Sequence, residues 1–167
     1  MAVNGKQKGN TFERNIANEL SKRFCDSTGI EKSFRRNPDS GAFFGGSNLA
    51  RTETYDTDYA VYGDLICPRN FKYSIECKHY KTAPPLNAIL NQKVGQWDKW
   101  LKQATQDAEV SDKEMLMIVK YNNTSVMAFV DDDLFGAIDP VFNYNGYIVY
   151  VWDHMLALDD KQFFNED

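Results

Sequence analysis

Histidine and cysteine are scarce in this sequence, and the few present stand apart. There are 2 histidines and 3 cysteines. No C-x-x-C pair and no His/Cys cluster occurs, which argues against a structural zinc site. Cys25, Cys67 and Cys77 are odd in number and scattered. Cys67 and Cys77 fall in apolar, strand-like contexts, the setting of buried thiols in a reducing cytosol rather than of a disulfide. No apolar run is long enough to span a bilayer. The opening MAVNGKQKGN lacks the apolar stretch of a signal peptide. These absences point to a cytoplasmic chain with no membrane partner. Its 167 residues fit one domain, 1–167, large enough to bury a substantial core. There is no internal repeat.

Positive charge is also short overall, with a net charge of −5, but the deficit is local. Residues 1–102 hold 16 Lys+Arg and 11 Asp+Glu, a balance of +5; residues 103–167 hold 3 and 13, a balance of −10. Such asymmetry marks a basic part that can meet a polyanion and an acidic remainder that keeps the chain soluble.

The most informative stretch is Val61–Lys81, VYGDLICPRNFKYSIECKHYK. Two apolar runs, Leu65–Cys67 and Tyr73–Cys77, flank the turn formers Pro68-Arg69-Asn70, so the pattern predicts a β-hairpin. In the second run Tyr73, Ile75 and Cys77 share one face and Ser74, Glu76 and Lys78 the other. With a three-residue turn at Arg69–Phe71, Asp64 pairs across the ladder with Glu76. Two carboxylates and an amine at one end of a hairpin can hold a hard divalent cation beside a cationic side chain. The plain alternative is a surface salt bridge.

Upstream, Phe12, Ile16, Leu20 and Phe24 recur every four residues, with Ala17 in the same stripe, which predicts an amphipathic helix over 11–25 ending before Gly29. Glu13 lies at the flank of the stripe. Asn10-x-x-Glu13 fits a capping box at the start of that helix.

The set Asp64, Glu76-Cys77-Lys78 resembles the core of the PD-(D/E)xK nucleases. KGNTFERNIANELSKRF, residues 8–24, resembles the opening helix of the archaeal-type Holliday junction resolvases and their phage-encoded relatives, a branch of that superfamily. The resemblance covers about residues 8–81. It implies an α/β fold, restriction-endonuclease-like, with a mixed β-sheet flanked by helices. It also implies a catalytic set of Glu13, Ser40, Asp64, Glu76 and Lys78, with Mg2+ (Mn2+ substituting) held by Glu13, Asp64, Glu76 and the carbonyl of Cys77. Phosphate contacts fall to Lys8, Arg14, Arg35, Arg36, Arg51 and Lys81. The implied partners are branched DNA, a four-way junction, and a second copy of the chain in a homodimer. The implied compartment is the cytoplasm, the host's if the chain is phage-encoded. Other readings stay open: a restriction- or repair-type nuclease on the same core, a catalytically inert DNA-binding module, or a metal-independent hydrolase using Asp64 and Glu76 as an acid/base pair.

Between helix and hairpin, Ile30–Arg35 reads as a strand with Phe34 inward and Lys32 outward. Residues 37–60 read as a long loop containing Ser40, Gly41 and Arg51; loops of that length are usually functional or disordered. Asp56 and Asp58 in the loop rival Asp64 as the second carboxylate, but a strand fixes Asp64 better. Downstream, Pro84-Pro85 break the chain. Trp97, Trp100, Leu101, Ala104 and Ala108 stand at helical spacing and read as core. Met115–Lys120 and Ser125–Val130 flank a second hairpin turn, Asp131–Asp133 start a short helix through Ile138, and Tyr147–Trp152 reads as a last strand. The final Asn165-Glu166-Asp167 reads as frayed.

Overall fold

A computed structural model of the chain describes residues 5–38, 59–131 and 137–165, with only the backbone described at 59–62. It is an α/β protein with two sheets. The larger is mixed and five-stranded: β4 (Tyr73–Tyr80), β5 (Glu114–Tyr121), β6 (Met127–Val130), β7 (Phe142–Tyr144) and β8 (Tyr147–Val151), in the order β4-β5-β6-β8-β7. The smaller has the order β1-β3-β2, from β1 (Arg35–Arg36), β2 (Tyr59–Tyr62) and β3 (Leu65–Pro68).

Helix α1 (Gly5–Arg23) carries the predicted stripe, and Phe12, Ile16, Ala17 and Leu20 are buried. It starts six residues before Thr11. Asn10 is therefore interior, and the Thr11 hydroxyl donates back to the Gln7 carbonyl (2.8 Å), one turn up the helix. The expected capping box does not exist, because Glu13 lies in the third turn. A short helix, α2 (Cys25–Thr28), follows and is closed by left-handed Gly29.

The parallel pair β4/β5 needs a crossover, supplied by α3 (Leu86–Leu90) and α4 (Gly95–Ser111). Two cores result. Against α1 lie Ile75, Cys77, Leu116 and Ile118; against α4, with Trp97, Trp100, Leu101 and Ala104, lie Met115, Met117 and Val119. Parity in β4 then sends Ser74, Glu76 and Lys78 to the α4 side. That face is not solvent-facing as the alternation alone implied; Ser74 and Glu76 are buried.

The hairpin at the centre of the sequence reading is displaced. Strands β3 and β4 belong to different sheets, and the hairpin is β2/β3, closed by the two-residue turn Gly63-Asp64 with Tyr62 opposite Leu65. Part of the expected 37–60 loop is thus strand. Conversely, Ile30–Phe34 forms no strand, only Arg35–Arg36 pairing with β3, although Phe34 is buried as expected. The β5/β6 hairpin stands as predicted. The Asp131–Ile138 helix falls largely outside the described residues. After β8 the chain turns into α5 (Trp152–Leu156), so Trp152 is helical rather than strand. The end is held to residue 165: Phe163 is fully buried and the Asn165 amide donates to the Asn70 carbonyl (2.8 Å). All three cysteines are free, with Cys67 and Cys77 buried. No helix among the described residues is long and apolar enough to cross a membrane.

Candidate active site

The site is built where the Gly63-Asp64 turn abuts the open edge of β4. Gly63 forms a parallel bridge to Ile75, and the Asp64 amide donates to the Ile75 carbonyl (2.8 Å). The Asp64 carboxylate then accepts from the Cys77 amide (2.8 Å). Backbone groups of residues two apart in a strand point to the same side. The edge that offers Ile75 O and Cys77 N–H to Asp64 therefore also carries the Cys77 carbonyl. Asn37 locks the turn from behind: its amide donates to Asp64 O (2.8 Å) and its side chain to Gly63 O (3.0 Å). Asp64 is fixed by these bonds rather than by lying in a strand.

Gly63 is indispensable to this contact for two reasons. Its φ is +64°, and a Cβ there would sit 2.3 Å from the Ile75 carbonyl oxygen. The left-handed conformation alone costs a non-glycine residue about 1–2 kcal/mol, and a backbone carbonyl cannot rotate out of the way. Gly63→Ala should lower Tm by more than about 4 °C and detach Asp64 from β4. An unchanged melting curve would show the turn to be unimportant.

Glu76 and Lys78, on one face of β4, are ion-paired to each other. Glu13 reaches the same region from α1. It is only 8% exposed and pairs with the Arg36 guanidinium (2.5 Å), which also donates to the Asn10 side chain (3.0 Å). Three carboxylates, Glu13, Asp64 and Glu76, are therefore buried within electrostatic reach of one another. Burial first, then the charge of Glu76, push the Asp64 carboxyl up to about 8, while the Cys77 N–H pulls it down; Glu13 adds to the rise. Glu76 is also raised, mainly by burial, against the pull of Lys78. For Lys78 burial works to lower the pKa, but Glu76 and Asp64 outweigh it, and the ammonium ends above its usual value. Lys78 is a held cation, not a free base.

Two contributors were not legible beforehand. Asn37 falls in the stretch whose sequence reads as a long loop, although Asn37-Pro38 is a turn signal. Asp107 on α4 faces Lys78; burial raises its carboxyl against the pulls of Lys78 and of a Gln103 hydrogen bond. Of the expected phosphate contacts, Lys8 and Lys81 line one cleft with Lys78. Arg14 and Arg35 stand exposed outside it, and Arg36 is engaged with Glu13. Ser40, Arg51, Asp56 and Asp58 lie outside the described residues. No group of three His, Cys, Asp or Glu among the described residues forms a ready-made metal cage. In this state Glu13 is held by Arg36 and Glu76 by Lys78.

A mixed sheet flanked by helices, with an Asp on a neighbouring turn beside Glu-x-Lys on an edge strand, defines the PD-(D/E)xK nuclease class. The family model described as "Phage putative PDDEXK endonuclease" matches residues 4–155. The chain belongs to that family. No curated protein and no solved structure matches it.

Proposed function

We propose that this endonuclease is divalent-metal-dependent and hydrolyses phosphodiesters in branched DNA, with the four-way junction as preferred substrate. The observation that carries the metal assignment is the buried pair Asp64/Glu76, in which burial first, and then the charge of Glu76, raises the Asp64 carboxyl to about 8. Hard oxygen donors in that state fit Mg2+, which takes one or two carboxylates and keeps several waters. Asp64, Glu76 and the Cys77 carbonyl would hold it, with Mn2+ able to substitute. Glu13 would complete the site, or serve a second ion, on release from Arg36. Such an ion polarises a phosphoryl oxygen and acidifies water.

The chain's own contribution is positional. Lys78, kept charged by Glu76 and Asp64, donates to the attacking water or to a phosphoryl oxygen and offsets charge as it develops. Asp64 is oriented by Cys77 N–H and Asn37, so its carboxylate does not reorganise during the reaction. The proposed catalytic role of Ser40, and the pairing of two copies to cut opposed strands, rest on the resemblance to the resolvases, which residues 8–24 carry most specifically. α1 supports it, since Glu13 is buried at the site rather than spent on a cap.

Junction preference is tested by salt titration of binding to a labelled four-way junction and to linear duplex of the same sequence, in EDTA. Recognition of branched shape predicts that the junction stays bound at salt concentrations that release the duplex. Superimposable titrations would leave an endonuclease of restriction or repair type and remove the junction assignment.

A further inference from the structure

A cleft of about 720 Å³ opens beside the candidate active site, between the start of α1 and the end of β4. Its volume is that of a pocket enclosing a small organic molecule. In a chain of net charge −5, its lining among the described residues includes Lys8, Lys78 and Lys81 and no carboxylate. Lys8 is held in place by the Asn122 side chain (2.7 Å). The α1 wall is Gly5 and Gly9, one turn apart; among the described residues a Cβ at Gly5 would meet nothing within 4 Å and one at Gly9 only the Glu13 carboxylate, at 3.8 Å. A strand can therefore approach the helix backbone closely.

The floor adds an aromatic. Tyr80, at the end of β4, is 42% exposed; of the exposed large apolar side chains among the described residues (Ile30, Tyr80, Leu86, Leu90, Val110 and Val141) it is the one that is aromatic and lines this cleft. Behind it the buried Trp100 ring lies 4.7 Å away, centroid to centroid, and the same indole has Lys78 Nζ 6.0 Å from its centroid. Lys78 and Tyr80 point to the α4 side of β4, about 7 Å apart, whereas Lys8, Gly5 and Gly9 lie on the α1 side, so the cleft runs across the edge of β4. Trp100 thus supports both the cation of the active site and the exposed ring.

We propose that this cleft receives an unpaired stretch of DNA, one or two nucleotides long, next to the scissile phosphate. Tyr80 is the surface on which a base stacks, and Lys8 and Lys81 meet the flanking phosphates. The position beside the scissile phosphate rests on the nuclease reading, and the binding on the cleft alone. Bases in a duplex are already stacked on their neighbours and cannot reach Tyr80. A lysine-lined groove without an aromatic would take duplex and single strand alike; an exposed aromatic backed by Trp100 selects the strand with a free base face. A branch point supplies such nucleotides.

The test is fluorescence anisotropy in EDTA, with a labelled blunt duplex and the same duplex carrying a short single-stranded gap. The gapped DNA should bind roughly tenfold tighter than the blunt one. Tyr80→Ala should remove that preference, a loss in the range of one base–aromatic stack, and Tyr80→Phe should keep it with an unchanged melting curve. Equal affinity of wild type for the two DNAs, or equal weakening of both by Tyr80→Ala, overturns the proposal. Cleavage is scored separately with Mg2+. Cutting without gap preference refutes the cleft assignment alone. Gap preference without cutting refutes the metal-dependent nuclease reading and leaves the cleft assignment standing.

Discussion

Glu76→Gln should abolish cleavage, by a factor of about a thousand or more, while DNA binding is unchanged or tighter. The size follows from what the substitution removes. Gln keeps the volume of Glu76 and an oxygen for the Lys78 ammonium, so neither a cavity nor an orphaned buried cation is created. It removes one of the two carboxylate charges proposed to hold the ion, in a place where nothing else on β4 replaces it. Oriented charge in a buried site is worth about 3–4 kcal/mol or more in the transition state, which sets the lower bound on the rate effect. Binding should not fall, because a negative charge facing the phosphate backbone has been taken away. Single-turnover cleavage and equilibrium binding of the same substrate check the two halves. Wild-type cleavage by Glu76→Gln would remove Glu76 from the site.

The second large effect is on stability, and its sign is opposite to that of an ordinary paired carboxylate. The Asp64 carboxyl sits at about 8 in the folded chain against 3.8 for the free group. Between those values the folded state binds more protons than the unfolded one, so stability falls as pH rises from about 4 to about 8. Each unit of difference corresponds to about 1.4 kcal/mol, and about 1 kcal/mol moves Tm by roughly 2–4 °C in a chain of this size. In EDTA, Tm should therefore drop by several degrees between pH 5.5 and pH 8.5. Asp64→Asn should flatten the profile, and Mg2+ should raise Tm far more at pH 8.5 than at pH 5.5, since the ion takes the place of the proton. A flat wild-type profile, indifferent to Mg2+, would mean that Asp64 and Glu76 are not the buried, pKa-raised pair described.

How much of this could be read from the chain depended on how local the determinant was. The α1 stripe and the Trp97/Trp100/Leu101/Ala104 spacing predicted which residues are buried, because burial there follows a helical period. The parity of β4 put Glu76 and Lys78 on one face for the same reason. The partner of β4 was misread. Pro68-Arg69-Asn70 looked like the stronger turn, whereas the chain uses Gly63-Asp64, a two-residue turn whose glycine takes the positive φ. Asp64 still arrives at Glu76, through hydrogen bonds to Ile75 and Cys77 rather than through a hairpin ladder. A second turn of this type, Asn145-Gly146 between β7 and β8, carries Asn-Gly, among the strongest hairpin signals. The start of α1 was placed too late because Gly5 and Gly9 are poor helix formers, and the false cap at Asn10 followed from that. Asn37 and Asp107 come from segments distant in sequence, and only the fold brings them to Asp64 and Lys78.

The central claim is that buried carboxylates on the β4 edge drive metal-dependent DNA cleavage. The most direct measurement incubates the wild-type protein with labelled four-way junction in Mg2+ and, in parallel, in EDTA. The account predicts products ending at defined phosphates near the branch in Mg2+ and intact junction in EDTA. Equal cleavage with and without the ion, or none in either Mg2+ or Mn2+ while the junction remains bound, would contradict it.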